Sequence, residues 1–288
     1  MLARLLAHRG VSVASLSASS TVAESEICSV LDGGPADEPL LHALASALGF
    51  HAADLFVIAD VSVPEDLAPL DREAGAEIDR LLHTMLALPV EQRLKIHRLI
   101  EQLPQVARPA VDHAKPPRSF DLETAGFGAM LLSLLCSNRN LHSPAAAATT
   151  VASLTHGHMY LSASTYMGIA HGHVRLRPEW VLHIATVLGI PAGDLAAITG
   201  IDIGDARVSD SSLAAEMAEM IWNLRRLSAP QARKVREQAE SMLVIVPEDG
   251  PENRWTRLYH VRGIWWGTPK EHLAASDEPS YSDGRAAR

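Results

Sequence analysis

Apolar residues recur along this chain at intervals of three and four, the period of helices with one buried face. At the start, Leu2, Leu5 and Leu6 share such a face, and Gly10 closes the helix. Ser12 stands where an N-cap belongs, ahead of a second short helix over Val13–Ser19. A tight turn at Ser20-Thr21-Val22 leads to a third helix, Ala23–Leu31, which directs Ile27 and Val30 inward and ends at Asp32-Gly33-Gly34. Pro39–Leu48 predicts a fourth helix stopped by Gly49, and Ala52-Ala53-Asp54-Leu55-Phe56 starts a fifth. The expected fold class is all-α.

The pattern then returns. Ala45, Leu48, Gly49, Ala52, Asp54 and Leu55 fall on Ala185, Leu188, Gly189, Ala192, Asp194 and Leu195 at an offset of 140. LPVEQRLKIHRLIEQL (88–103) matches LSAPQARKVREQAESM (227–242) at 139, and LARLLAHRG (2–10) matches LLSLLCSNR (131–139) at 129. The growing offset places an insertion in the second copy between Leu141 and Gly172. Each copy is a block of short helices followed by a helical hairpin (71–103 and 210–243). The domain reading is block 1 over 1–60, hairpin 1 over 61–104, a Pro-rich linker over 105–124, block 2 over 125–201, hairpin 2 over 202–246, and a Trp-containing tail over 247–288 whose polar end is expected to be disordered.

Composition narrows the function. Of 288 residues 47% are hydrophobic and 20% charged, as in an ordinary packed protein. A net charge of −9 excludes a strongly basic nucleic-acid coater. Two unrelated cysteines, Cys28 and Cys136, exclude a disulfide scaffold and a cysteine zinc finger, and suit a reducing compartment. Few lysines and much Arg and Ala hint at a high-GC bacterial genome. The longest apolar stretch, Ala125–Cys136, falls short of the ~18–20 residues a membrane helix needs, so no membrane association is expected. The Arg- and Ser-rich start resembles a transit peptide, but its match to 131–139 explains it as the opening of a repeat.

Short helix, Gly, Ser N-cap, short helix, turn, short helix, Gly, Pro, helix, Leu-Gly and Asp-Leu together resemble the lambda-repressor-like, Xre-type helix-turn-helix domain. LSASTYMGIAHGHVRLRPEWVLHIATVLGIPAGDL in the second copy is closer still. The likeness covers about 55 residues of the first copy and about 70 of the second. It implies two tandem helix-turn-helix blocks, sequence-specific binding of double-stranded DNA, and transcriptional control in the bacterial cytoplasm. In such domains the third helix enters the major groove and its flanks hold phosphates.

In block 2 the resemblance implies a third helix over Ser162–His171, with Leu161, Tyr166 and Ile169 inward and Ser162, Ala163, Ser164, Met167, Gly168 and His171 outward. Ser164 and His171 are placed to reach base edges and Met167 to pack on a thymine methyl. Arg175 and Arg177 follow where the family grips the backbone, and Ser143 with Pro144 opens the second helix with free N–H groups for a phosphate. His156-Gly157-His158 and His171-Gly172-His173 contain metal-ligand residue types, but a helix of about 15 Å separates them, so they are read as solvated or phosphate-facing. That adds His173 to the DNA-facing set.

Charge divides the copies. Residues 126–200 carry Arg139, Arg175 and Arg177 against Glu179 and Asp194, with six histidines, whereas residues 1–60 carry two arginines against seven acids. The outward positions of the first copy's third helix, Ala23, Glu24, Ser25, Cys28, Ser29 and Asp32, repel phosphate, and so does nearby Glu26. Block 2 alone, at about four to six phosphate contacts, has a log–log salt slope near −4 to −5, too weak at physiological salt without a homodimer. Block 1 and the tail, where Trp255, Trp265 and Trp266 interleave with arginines, are candidate protein-contact surfaces. The competing reading is a helical adaptor or regulator whose blocks serve protein contacts. There is no G-x-S-x-G, H-E-x-x-H or phosphate loop with Lys, so neither enzymatic activity nor a cofactor or metal is expected.

Overall fold

The computed structural model describes residues 1–108, 126–204 and 212–243, and these contain fourteen α-helices and no strand. The Trp-containing tail and most of the linker lie outside the described residues. The first copy supplies α1 (Leu2–Arg9), α2 (Val13–Ser20), α3 (Glu24–Leu31), α4 (Glu38–Leu48) and α5 (Ala52–Ile58), then the hairpin α6 (Gly75–Ala87) and α7 (Val90–Gln102). The second supplies α8 (Phe127–Leu132), prolonged by a π-helical turn at Ser133–Asn138, then α9 (Pro144–Leu154), α10 (Ala163–Ala170), α11 (Pro178–Leu188) and α12 (Ala192–Thr199). Its hairpin is α13 (Ser212–Leu224) and α14 (Ala229–Glu240).

Local chemistry sets these boundaries. Ser12, Asp37, Ser143, Ser162 and Ser228 each accept a backbone N–H from the first turn of their helix, and Ser228 completes a capping box with Gln231. Each such cap contributes about 0.5–2 kcal/mol. Gly49 and Gly189 end α4 and α11 at φ 67° and 68°, a left-handed conformation that costs glycine nothing.

The two copies interlock. α1 packs on α12 of the other copy, and α5 packs on the π turn that follows α8. The hairpins form a four-helix layer in which α14 crosses α6 and α7, and α13 lies against the same pair. Ile78, Leu81, Leu82 and Met85 of α6 and their counterparts Met217, Met220, Ile221 and Leu224 of α13 are all buried. One compact unit therefore runs from Met1 to Met242, with both blocks inside it.

Two reciprocal arginine–carboxylate clasps join the copies. Arg9, at the end of α1, donates from Nε and Nη2 to Asp194 at 2.9 and 2.6 Å, and from Nη1 to the Leu48 carbonyl at 2.5 Å. Arg139, just after the π turn, donates from Nη1 and Nη2 to Asp54 at 2.5 and 2.7 Å, and from Nη2 to the Leu188 carbonyl at 2.7 Å. Asp54 and Asp194 are equivalent, as are Leu48 and Leu188, so the two clasps are related by a pseudo-two-fold. Leu5 and Leu6 match Leu134 and Leu135, but Arg9 matches Arg139, one residue further on than the ungapped repeat match placed it. The π turn at Ser133–Asn138 absorbs that residue, since each π turn holds one more residue than an α turn.

The insertion also becomes visible. α9 has 11 residues where α2 has 8, and the α9–α10 connection runs from Thr155 to Ser162 where block 1 needs only Thr21 to Ala23. The turn between the second and third helices of the block is thus short in block 1 and longer in block 2.

Candidate nucleic-acid interface

α10 is held by its buried side. Tyr166, Ile169 and Ala170 are buried, and Leu161 and Met167 pack partly against the core. α8 crosses α10 so closely at Gly128 that a Cβ there would overlap the Ile169 carbonyl, so only glycine fits. Burial pushes the Tyr166 phenol well above its ordinary pKa, keeping it neutral.

The expected DNA-facing residues fall into three groups. Ser162, Ser164, His171, His173, Arg175 and Arg177 are exposed. Ser162 accepts the Thr165 N–H at 3.2 Å as the cap of α10, and its hydroxyl lies 2.7 Å from that of Ser164, so these two form one polar corner. Ala163, Met167 and Gly168 are half-buried. Gly168 seats the following loop: its carbonyl accepts from the His173 and Val174 amides, and a Cβ on it would lie 2.7 Å from Val174 Cγ2. Ser143 sits apart and half-buried as the cap of α9, with its hydroxyl accepting the Ala146 N–H at 3.1 Å. Gly75 of α6 abuts Asn140 and His142 just before it.

The loop after α10 projects its cations. Arg177 lies over the Trp180 ring at 5.1 Å from its centroid and 3.9 Å from Glu179. Arg175, Arg177 and Asp202 border an open depression of about 600 Å³ floored by Val174, Leu176 and Ile201. The rings of His171 and His173 stand 6.1 Å apart. His158, in the lengthened turn, lies parallel to His183 at 6.2 Å, and burial together with that neighbour lowers the His183 pKa. Among the described residues no group of three or more His, Cys, Asp or Glu side chains converges as a metal site requires.

One cation in the charge count of block 2 is corrected by its position. Arg139 is fully buried against Asp54 of block 1 and faces no solvent. Asp194 is buried against Arg9, so block 2 shows solvent only Arg175, Arg177 and Glu179, with its histidines. In block 1, the α3 positions Ala23, Glu24, Ser25, Glu26, Cys28, Ser29 and Asp32 are all exposed. The acidity of the α3 face is therefore surface acidity, whereas Asp54, counted with it, is buried.

Behind these faces lies a buried polar network. Asp54 also accepts from Asn138 Nδ2 at 2.5 Å. Arg225 donates to the Asn138 backbone oxygen, to Asn138 Oδ1 at 2.8 Å and to the Leu67 carbonyl at 2.5 Å. The Arg225 guanidinium lies 3.9 Å from the centroid of Trp222, on which His51 stacks at 3.5 Å. Burial, followed by the charge of Arg139, lowers the Arg225 pKa to about 10. Burial also lowers that of His51, which Asp54 opposes and Arg139 and Arg225 reinforce.

Compared with protein-family models, with curated proteins and with solved structures, the chain matches none.

Proposed function

We propose that the chain is a DNA-binding transcriptional regulator of the Xre-like type whose second block contacts DNA. The observation that carries this reading is the exposure of Ser162 and Ser164 at the start of α10, of His171 and His173 at its end, and of Arg175 and Arg177 in the loop that follows. Helix N-termini and arginines suit phosphates, and a polar helix corner suits base edges. The reading includes cytoplasmic location and a homodimer, in which two block-2 faces double the phosphate contacts that one chain offers. The lengthened α9–α10 turn departs from the family's short one, so the approach of α10 to a groove would be this chain's own.

The test is binding of the full chain to a random duplex at low salt. Loss of retention in Arg175→Ala/Arg177→Ala supports the reading, and genome-wide immunoprecipitation would then give sharp peaks sharing one sequence. No retention at 50 mM salt would sink it. A second reading, a helical adaptor that binds protein through block 1, is favoured by the acidic exposed face of α3. A stable protein complex in pull-downs without duplex binding would select it.

A further inference from the structure

A pocket of about 320 Å³ opens between the segment after α5 and the end of α13. That volume is at the small end of the range for ligand sites, ~300–1,000 Å³. Its wall carries three guanidiniums, Arg108, Arg225 and Arg226, against the single carboxylate of Asp66, with the Trp222 ring between them. What satisfies these arginines is mostly neutral. Arg108 donates to the carbonyls of Glu65, Ala68, Pro69 and Leu70, and its nearest carboxylate is that of Glu65, 3.5 Å from Nε and 74% exposed. Arg226 donates from Nη2 to the carbonyls of Glu101 and Leu103. Carbonyls fill the N–H bonds of Arg226 without cancelling its charge, whereas Arg108 faces the exposed carboxylate of Glu65 and Arg225 is countered only through Asp54, which it shares with Arg139. A fourth cation, Arg72, has its pKa lowered by burial and by Arg108.

Donors remain as well. Arg225 Nη1, on a side chain that is buried overall, and Arg226 Nε and Nη1 donate to no group among the described residues. Planar guanidiniums with open N–H groups match the paired oxygens of an oxyanion. We propose that this pocket binds a small organic oxyanion, a phosphate- or carboxylate-bearing molecule held by Arg225 and Arg226 beside Trp222. The site is separate from the DNA-facing residues. It is joined to the contact between the copies, because Arg225 holds Asn138, which holds Asp54, the partner of Arg139. Occupancy therefore stabilises the joint between the two blocks.

The test titrates the full chain, without DNA, with potassium phosphate and separately with citrate, against chloride at matched ionic strength, by calorimetry and tryptophan emission. Saturable binding of either probe supports the site, and the probe that binds distinguishes a phosphate from a carboxylate headgroup. Asn223→Asp, which adds a carboxylate to the wall, is expected to weaken binding at least tenfold with the melting temperature little changed. Arg226→Gln serves if that variant does not fold. Arg175→Ala/Arg177→Ala should bind the probe as the parent does. The proposal is overturned by the absence of saturable binding beyond chloride, by an affinity unchanged in both pocket variants, or by its loss in the Arg175/Arg177 variant.

Discussion

Removing the carboxylate of Asp54 should cost far more stability than removing its pseudo-equivalent, Asp194. The two clasps share equivalent acceptors, a carboxylate and a helix-end carbonyl, but differ in their donor atoms and surroundings. Arg139 and Asp54 are 0% and 1% exposed, and Arg225 lies close by with its charge also buried. Asp54→Ala would leave two guanidiniums in the interior with no countercharge, and breaking one side of a buried pair costs about 3–5 kcal/mol. Arg9 is 26% exposed, so water replaces much of what Asp194→Ala removes, and the cost falls to about 1–2 kcal/mol. Against a total stability of about 5–15 kcal/mol, the first loss brings the chain near its folding threshold, while the second does not. Replacing both buried partners, Asp54→Leu with Arg139→Met, should recover part of the loss, because Arg139 then pays for no desolvation while Arg225 stays buried without a carboxylate. Urea denaturation of the four proteins measures all three differences. Equal costs at the two clasps, or a double variant no more stable than Asp54→Ala, would refute the assignment of the energy to burial of the pair.

Three further outcomes follow from other contacts. Gly128→Ala forces a methyl group against the Ile169 carbonyl, so the α8–α10 crossing must open, at about 1–3 kcal/mol by thermal unfolding; a neutral effect would mean that α8 can shift freely. If block 2 grips phosphates through Arg175 and Arg177, their joint replacement by Ala should make the log–log salt slope of duplex binding shallower by about 1.8, and an unchanged slope would remove both from the interface. His51 has its folded pKa depressed below the ordinary 6.5, so the neutral ring is the folded form. Its contribution is full above the unfolded value and is lost as pH falls below it. The urea midpoint should therefore drop from pH 7 to pH 5, less steeply in His51→Gln, and parallel profiles would show that His51 is not the group responsible.

Much of the local structure was legible because its causes lie within a few residues. Ser12, Ser143 and Ser162 cap helices, Gly10, Gly49 and Gly189 end them, and Ile27, Tyr166 and Ile169 face inward. The exposure of the acidic α3 face also follows from helical period. Arg139 enters the sequence's charge count of block 2 like any other arginine, because nothing near it in the chain announces a partner. Asp54 is 85 residues away, and the matching Arg9–Asp194 pair spans 185. A repeat match without gaps also hid the equivalence of Arg9 and Arg139, since the residue taken up by the π turn shifts the register by one.

Periodicity, caps and self-similarity determined that the chain is helical, where the helices of block 1 fall, and that the pattern returns along the chain. Only the tertiary structure decided that the copies interlock, that their arginines serve each other's carboxylates, and that Arg108, Arg225 and Arg226 meet around one pocket. Helix-forming preferences act over a turn or two, whereas a buried charge takes its partner from whatever the fold brings within reach.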